Sequence, residues 1–213
     1  MAKLNFLFLI VAALALSCLV AGQDFCVRDP SGAPTCKDPS LVQEEDFLFS
    51  GLHLPGDASL NRLKFNVTAV TVAQIPGLNT LGLSMARIDF GPQGGVPPHV
   101  HPTATEMFSV VEGIFVVGFV TSDPEHRLFA RSLRKGDVFV FPAGVIHFVR
   151  NVKYQRAVGI SAFNSENPRT ATVADAVFGS YLPIGDGILG PAFQIDSNLV
   201  FEIQAKFNNQ SKF

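Results

Sequence analysis

Residues 107–122 read MFSVVEGIFVVGFVTS, two runs of β-branched and aromatic residues divided by Glu112-Gly113. Such runs favour strands, and glycine supplies the positive φ that a tight turn needs. We therefore predict two strands joined by a hairpin turn at Glu112-Gly113. Short strands separated by turn residues, continuing from Asn61 to about Phe163, predict an all-β sandwich or barrel. The other strand-like segments are KFNVTAVTV, LGLSMARIDF, RLFARSL, DVFVF, VIHFVRNV and RAVGISAF.

The character of the chain changes after Asn167-Pro168. TATVADAVFG and DGILGPAFQI have the pattern of short helices, and DSNLVFEIQAKF that of a longer one. Asp196 or Ser197 is a suitable N-cap for the longer helix. Its apolar residues share one face, so it should pack against its own barrel or against a neighbouring subunit. They are Leu199, Val200, Ile203 and Phe207.

The first 22 residues have the pattern of a secretory signal peptide. Lys3 is followed by an apolar run from Leu4 to Leu16 that only Asn5 interrupts, and small residues precede Gln23. No later stretch reaches the roughly 20 apolar residues of a membrane span. We expect a soluble, exported mature chain without a membrane span.

Export defines the expected charge and size of the mature protein. The whole chain has a net charge of -2, and loss of Lys3 leaves 15 basic against 18 acidic residues, a net charge of -3. This balance argues against nucleic acid as a partner, since nucleic-acid binding requires a basic surface. About 190 residues are enough for one domain, and 20 phenylalanines provide a large core.

Export also determines which chemistry is expected at the cysteines and at the glycosylation sequons. Cys18 lies in the signal peptide, which leaves Cys26 and Cys36 in an oxidising compartment, and we predict one disulfide between them. The alternative is two free thiols. Asn66 in NVT and Asn209 in NQS are candidate glycosylation sites, with Asn66 preferred because Asn209 is close to the C-terminus.

Residues 97–106 read PPHVHPTATE and suggest a metal site. Residues i and i+2 of a strand point to the same side, so His99 and His101 can form a metal pincer. This signal is weak alone, because two partly buried, hydrogen-bonded histidines are the alternative. Glu106 strengthens it, since a bend at Pro102 and a turn or bulge can return the carboxylate to the same pocket. His147, set among apolar residues in VIHFV, is the candidate fourth ligand.

The two remaining histidines, His53 and His126, have polar or loop surroundings and are predicted to lie at the surface. Three neutral imidazoles and one carboxylate partly neutralise a divalent cation and leave coordination positions open. The donor types suit Mn, Fe, Zn, Cu or Ni, so donor type alone does not identify the metal. A redox-active Mn or Fe could bind superoxide or a small carboxylate, whereas Zn would favour hydrolysis.

The chain resembles the germins and germin-like proteins of the cupin superfamily. GVPPHVHPTATEMFSVVEG and GDVFVFPAGVIHFVRN resemble the two signature boxes of that family, and the likeness covers essentially the whole mature chain. The resemblance implies a cupin β-jelly-roll barrel with a C-terminal helical extension. It divides the chain into a signal peptide at 1–22, a disulfide-stapled arm at 23–60, a barrel at 61–166 and the extension at 167–213.

The resemblance also implies a metal, an assembly and a location. Mn(II) would be held by His99, His101, Glu106 and His147. Six subunits would form a ring, built as a trimer of dimers, in the apoplast or cell wall of a plant. A role in defence or stress is what the family suggests.

Two departures from the family pattern bear on activity and on the arm. Only nine residues separate Cys26 from Cys36, where the family usually has a longer loop. Germins with oxalate oxidase activity have asparagines at the positions of Ala86 and Val96, where they hydrogen-bond the substrate. Their absence disfavours oxalate oxidation, because a buried polar substrate would lack partners. Superoxide dismutation is the preferred hypothesis, because it needs an accessible redox metal and a proton source but no elaborate recognition of its small anionic substrate. A non-catalytic binding or storage protein is the alternative.

Overall fold

A computed structural model describes residues 24–32 and 35–208. The predicted signal peptide and Asn209 lie outside the described residues. The strands of the described chain form two antiparallel five-stranded sheets, ordered β1-β2-β9-β4-β7 and β10-β3-β8-β5-β6. The predicted all-β jelly-roll barrel is therefore confirmed. The strands are β1 Phe65–Val70, β2 Ser84–Phe90, β3 Gly95–Val100, β4 Glu106–Glu112, β5 Ile114–Val120, β6 Leu128–Arg134, β7 Val138–Phe141, β8 Ile146–Asn151, β9 Ala157–Phe163 and β10 Ala171–Thr172.

The turn at Glu112-Gly113 joins the two sheets, so the predicted hairpin is wrong. Strand β4 pairs with β7 and β9, whereas β5 pairs with β6 and β8. Alternating apolar residues predict where each strand lies, but they do not identify its pairing partner. Gly113 has a φ of 99°, and a Cβ atom placed on it would lie 2.4 Å from the Cβ of Ala157. The crossing therefore requires glycine for its conformation and for its size.

Substitution of Gly113 tests this requirement. Gly113→Ala should lower the free energy of unfolding by about 3 kcal/mol, since it adds a steric clash to backbone strain. Gly136→Ala is the matched control, because Gly136 has a φ of 90° but nothing within 4 Å of an added Cβ. The control should cost only about 1 kcal/mol. Thermal unfolding of both variants measures the difference, and equal losses would contradict the clash.

Aromatic side chains from both sheets fill the barrel interior. The rings of Phe90 and Phe108 pack edge-to-face on Phe115, with centroid distances of 4.9 and 5.2 Å. Phe141 is also fully buried. This geometry adds to the stabilisation that burial itself provides. This aromatic cluster fills the space between the two sheets, and buried polar side chains occupy the neighbouring part of the interior.

Hydrogen bonds from an ion pair on β2 hold the N-terminal arm to the barrel, and a disulfide closes a loop within the arm. The predicted disulfide joins Cys26 to Cys36. The Arg87 guanidinium makes two contacts of 2.7 and 2.8 Å with the Asp89 carboxylate on β2. The same guanidinium donates to the Leu52 carbonyl at 3.0 Å, and the Gly56 amide donates to Asp89 at 2.9 Å. Short 3-10 helices in and after the arm are Pro39–Leu41, Glu44–Phe47, Ala58–Leu60 and Pro76–Leu78.

The C-terminal extension folds into the three predicted helices, α1 Val173–Phe178, α2 Asp186–Phe193 and α3 Ser197–Asn208. Asp196 caps α3 by accepting from the Leu199 amide at 3.0 Å. Helix α3 packs on α1 and α2, neither of which was among the predicted partners. Val200 is fully buried, but Leu199 remains 38% exposed, so part of the apolar face is uncovered. Within the described residues, no helix is long and apolar enough to cross a membrane.

Candidate metal centre

The structure brings together the four residues singled out as metal ligands, and both sheets contribute. His99 on β3 is the cross-strand partner of His147 on β8. His101 follows the end of β3, and Glu106 begins β4 in the other sheet. The odd spacing is thus resolved by a turn that crosses between sheets. All four side chains are buried, and one candidate ligand atom from each lies within 4.8 Å of the others.

Backbone carbonyl groups orient the three imidazoles. A carbonyl oxygen only accepts hydrogen bonds, so each contact places the proton on Nδ1. Nε2 is then the nitrogen available for a cation, and such bonds hold a metal-binding ring in place. The Nδ1–H groups donate from His99 to Pro97 at 2.8 Å, from His101 to Arg169 at 2.8 Å, and from His147 to Val145 at 2.9 Å.

The position of the Glu106 carboxylate next to two imidazole nitrogens calls for a cation at this site. Its Oε2 lies 3.1 Å from Nε2 of His147 and 3.2 Å from Nε2 of His101. With the proton on Nδ1, a neutral imidazole presents a lone pair at Nε2, which would face another acceptor. A cation between these atoms removes the conflict, either as a proton on the ring or as a metal ion. Three imidazoles and a carboxylate are donors that first-row divalent metals accept.

The electrostatic surroundings favour the ligating forms of His99 and Glu106. Burial lowers the pKa of His99 to about 4, and His147 adds to the shift. Burial alone would raise the pKa of Glu106, but contacts with His101, His147 and Ser161 together hold that pKa well below its usual range. At neutral pH the imidazole is therefore neutral and the carboxyl group ionised, as metal binding requires.

Ser161 belongs to this site but was missed by the sequence reasoning. It is fully buried on β9, and its hydroxyl donates to Oε1 of Glu106 at 2.6 Å. One signal was available, because Ser161 is an inward-facing polar residue within the apolar segment RAVGISAF. The hydrogen bond leaves Oε2 as the oxygen that faces the histidines.

Removing this hydroxyl should weaken metal binding. Because loss of an outer hydrogen bond to a ligand typically costs a factor of 10 to 100, we expect Ser161→Ala to raise the metal dissociation constant by about 10-fold or more. Competition with a coloured chelator measures the change. Ser132→Ala, at an exposed serine on β6, should bind as the unaltered protein does. An unchanged constant for Ser161→Ala would contradict this role.

A cavity of about 340 Å³ adjoins three of the four ligands, His99, His101 and Glu106. Ala86 and Val96 both line it. Its other polar lining side chains, within the described part of the chain, are Thr71, Thr170 and Thr172. His53 and His126 are exposed, as predicted.

Comparison with known proteins gives a consistent result. Residues 50–200 match the model of the cupin family. The chain is 48% identical over 217 residues to putative germin-like protein 2-1 of Oryza sativa subsp. japonica, covering 97% of this chain and all of the relative. It is 53% identical over 194 residues to germin-like protein subfamily 1 member 7 of Arabidopsis thaliana, covering 88% and 84%. A solved structure of oxalate oxidase superposes with a TM-score of 0.84 and 39% identity, covering 89% of this chain and 98% of that one.

Proposed function

Because the chain belongs to the germin-like proteins of the cupin family, we propose that it is an exported manganese protein that converts superoxide to oxygen and hydrogen peroxide. The observation that carries the proposal is a buried centre of three histidines and one glutamate beside a mainly apolar cavity. Such a cavity admits a small anion but offers little to hold a dicarboxylate.

Manganese is supported by the donor set and by the resemblance to germins. His99, His101, Glu106 and His147 would hold the ion. Manganese at this site would supply a one-electron couple, which oxidises one superoxide to oxygen and reduces a second, with two protons, to hydrogen peroxide. An ion held by these four donors would keep coordination positions free for a small anion.

The chain's own residues set the charge of the centre and access to it. Ionised Glu106 cancels one charge of a divalent ion, so a net positive charge remains to attract an anion. Burial of the ligands strengthens that attraction, because little water screens it. The backbone carbonyls that hold Nδ1 keep the imidazoles in one orientation while electrons are exchanged.

Oxalate oxidation is the second candidate, favoured by the similarity to solved oxalate oxidase structures at 38 to 39% identity. One of them is a complex with the substrate analogue glycolate. Against it, Ala86 and Val96 place methyl groups in the cavity wall, which cannot donate hydrogen bonds to a second carboxylate.

Metal analysis of the purified secreted protein, followed by superoxide and oxalate assays on the same sample, tests these proposals. We expect manganese near one ion per chain, superoxide consumption that is lost when the metal is removed, and no peroxide release on adding oxalate. Peroxide release from oxalate would favour the second candidate. Bound manganese with neither activity would support a non-catalytic binding or storage protein.

We also propose that the protein forms a hexamer, a trimer of dimers, in the extracellular space of the plant cell wall. The outer face of the first sheet supports a subunit contact. Met85, Ala162, Met107 and Val140 are successive cross-strand neighbours on β2, β9, β4 and β7, and Met107 is 48% exposed. An exposed apolar row of this length is typical of an interface between subunits.

A charge placed in this row should break the assembly. We expect Met107→Glu to reduce the mass measured by light scattering from six chains to a smaller species, since a buried unpaired charge is costly. Leu128→Glu, at an exposed residue of β6 in the other sheet, is the control for an added charge. Retention of six chains by Met107→Glu would contradict the proposed interface.

A further inference from the structure

The cavity beside the metal centre is larger than superoxide requires. A volume of about 340 Å³ lies within the range of pockets that bind small organic molecules, whereas superoxide has two atoms. The space also opens to solvent along strand β1. Val67 faces inward, beside buried Ile88 on β2, yet it is 47% exposed. The sandwich is thus not closed where β1 forms the edge of the first sheet.

The walls of this cavity are chemically divided. Apolar side chains cover the sides, and they include Val67, Ala69, Ile88, Val96 and Val149. Polar groups are concentrated at the ligands and at three threonines, Thr71, Thr170 and Thr172. Such a division suits a ligand with one polar end and one apolar body. It does not suit a ligand that is anionic at both ends, because the apolar walls offer the second charge no polar partner.

We propose that this cavity binds a small organic molecule that chelates the metal through two oxygen atoms and packs an aromatic or branched apolar body against Val67, Ile88 and Val149. The ligand's oxygens occupy open coordination positions, and its body fills the space that leads to the β1 edge. The inference rests on the metal assignment of the proposed function, but not on the superoxide activity.

Two hydroxamates provide a direct test, because they share the chelating group and differ only in the apolar body. Calorimetric titration of the manganese-loaded full-length protein with acetohydroxamate and benzohydroxamate measures both affinities. We expect benzohydroxamate to bind at least about 10-fold more tightly, since its phenyl ring is buried against the cavity walls. Equal affinities would overturn the proposal, as would a cavity sealed by a neighbouring subunit, which would bind neither probe.

A filled cavity provides the second test. Ala69→Leu places a larger side chain in the cavity wall at an exposed position of β1, and Ala130→Leu makes the same change at an exposed position of β6. We expect Ala69→Leu to abolish the preference for benzohydroxamate, and metal analysis checks that its manganese content matches that of the unaltered protein. Ala130→Leu should retain the preference, and a preference retained by Ala69→Leu would overturn the proposed position of the ligand.

The outcomes also separate this inference from the proposed function. If the protein binds benzohydroxamate more tightly than acetohydroxamate but does not consume superoxide, the inference holds and the proposed activity is wrong. If the protein consumes superoxide but binds both hydroxamates equally, the activity holds and the inference is wrong. Failure of the loaded protein to retain manganese removes both, and metal analysis detects it before any titration.

Discussion

The His101→Ala variant is expected to lose its metal and, with it, all superoxide consumption. His101 presents Nε2 to the centre, 3.2 Å from the Glu106 carboxylate, and no other described side chain replaces it there. Since loss of an outer hydrogen bond costs a factor of 10 to 100, loss of a ligand should cost at least about 100-fold in metal affinity. Metal analysis after dialysis and a superoxide assay measure the two losses.

The matched control is His126→Ala, which removes an exposed histidine paired with Asp123. It should leave metal content and activity unchanged. A light-scattering mass and a circular dichroism spectrum confirm that both variants are folded. Undiminished superoxide consumption in a folded His101→Ala protein would remove the metal centre from the proposed function.

The double variant Ala86→Asn and Val96→Asn is expected to gain oxalate oxidation. Both side chains line the cavity beside His99, and Ala86 is the cross-strand neighbour of Ser161, which hydrogen-bonds Glu106. Two amide groups would supply the donors that a bound dicarboxylate lacks here. Because sites built to hydrogen-bond a substrate discriminate by large factors, we expect peroxide release from oxalate to reach about 100 times the background measured with the unaltered protein.

Placing the same two amides elsewhere controls for their general effect. Ala192→Asn with Val152→Asn adds asparagines at exposed positions away from the cavity and should not oxidise oxalate. Metal content must match the unaltered protein in both double variants. Loaded protein that carries the cavity asparagines and still leaves oxalate intact would show that these two positions do not determine the choice of substrate.

Local sequence patterns predicted the elements of this fold better than their connections. Alternating apolar residues indicated strands and 3.6-residue spacing indicated helices, because each pattern reflects which face of an element is buried. The partner of a strand depends on long-range packing, which is why Glu112-Gly113 was expected to form a hairpin. Strand β3 runs through Pro97 and Pro98, and its register shifts between Val96 and His99, since proline has no amide hydrogen for the ladder.

The candidate site was predictable as a set of side chains but not as a geometry. Imidazole and carboxylate groups in a family box are visible in the sequence, and the structure brings these four together. Their orientation depends on main-chain carbonyls, which every residue possesses and no sequence pattern marks. The Arg169 carbonyl that holds His101 lies 68 residues away along the chain. Ser161, in contrast, was marked in the sequence only by its polarity within an apolar segment.

The strand β10 and the Arg169 carbonyl have a consequence for biosynthesis. Thr172 pairs with His99, and Arg169 fixes the His101 ring, so residues 169–172 complete the surroundings of two ligands. During synthesis from the N-terminus, His99, His101, Glu106 and His147 are all made before these partners exist. The finished arrangement is therefore reached only after residues 169–172 have left the ribosome. Metal loading should be late, and a chain stopped at residue 166 should have all four ligands but lack the carbonyl that orients His101.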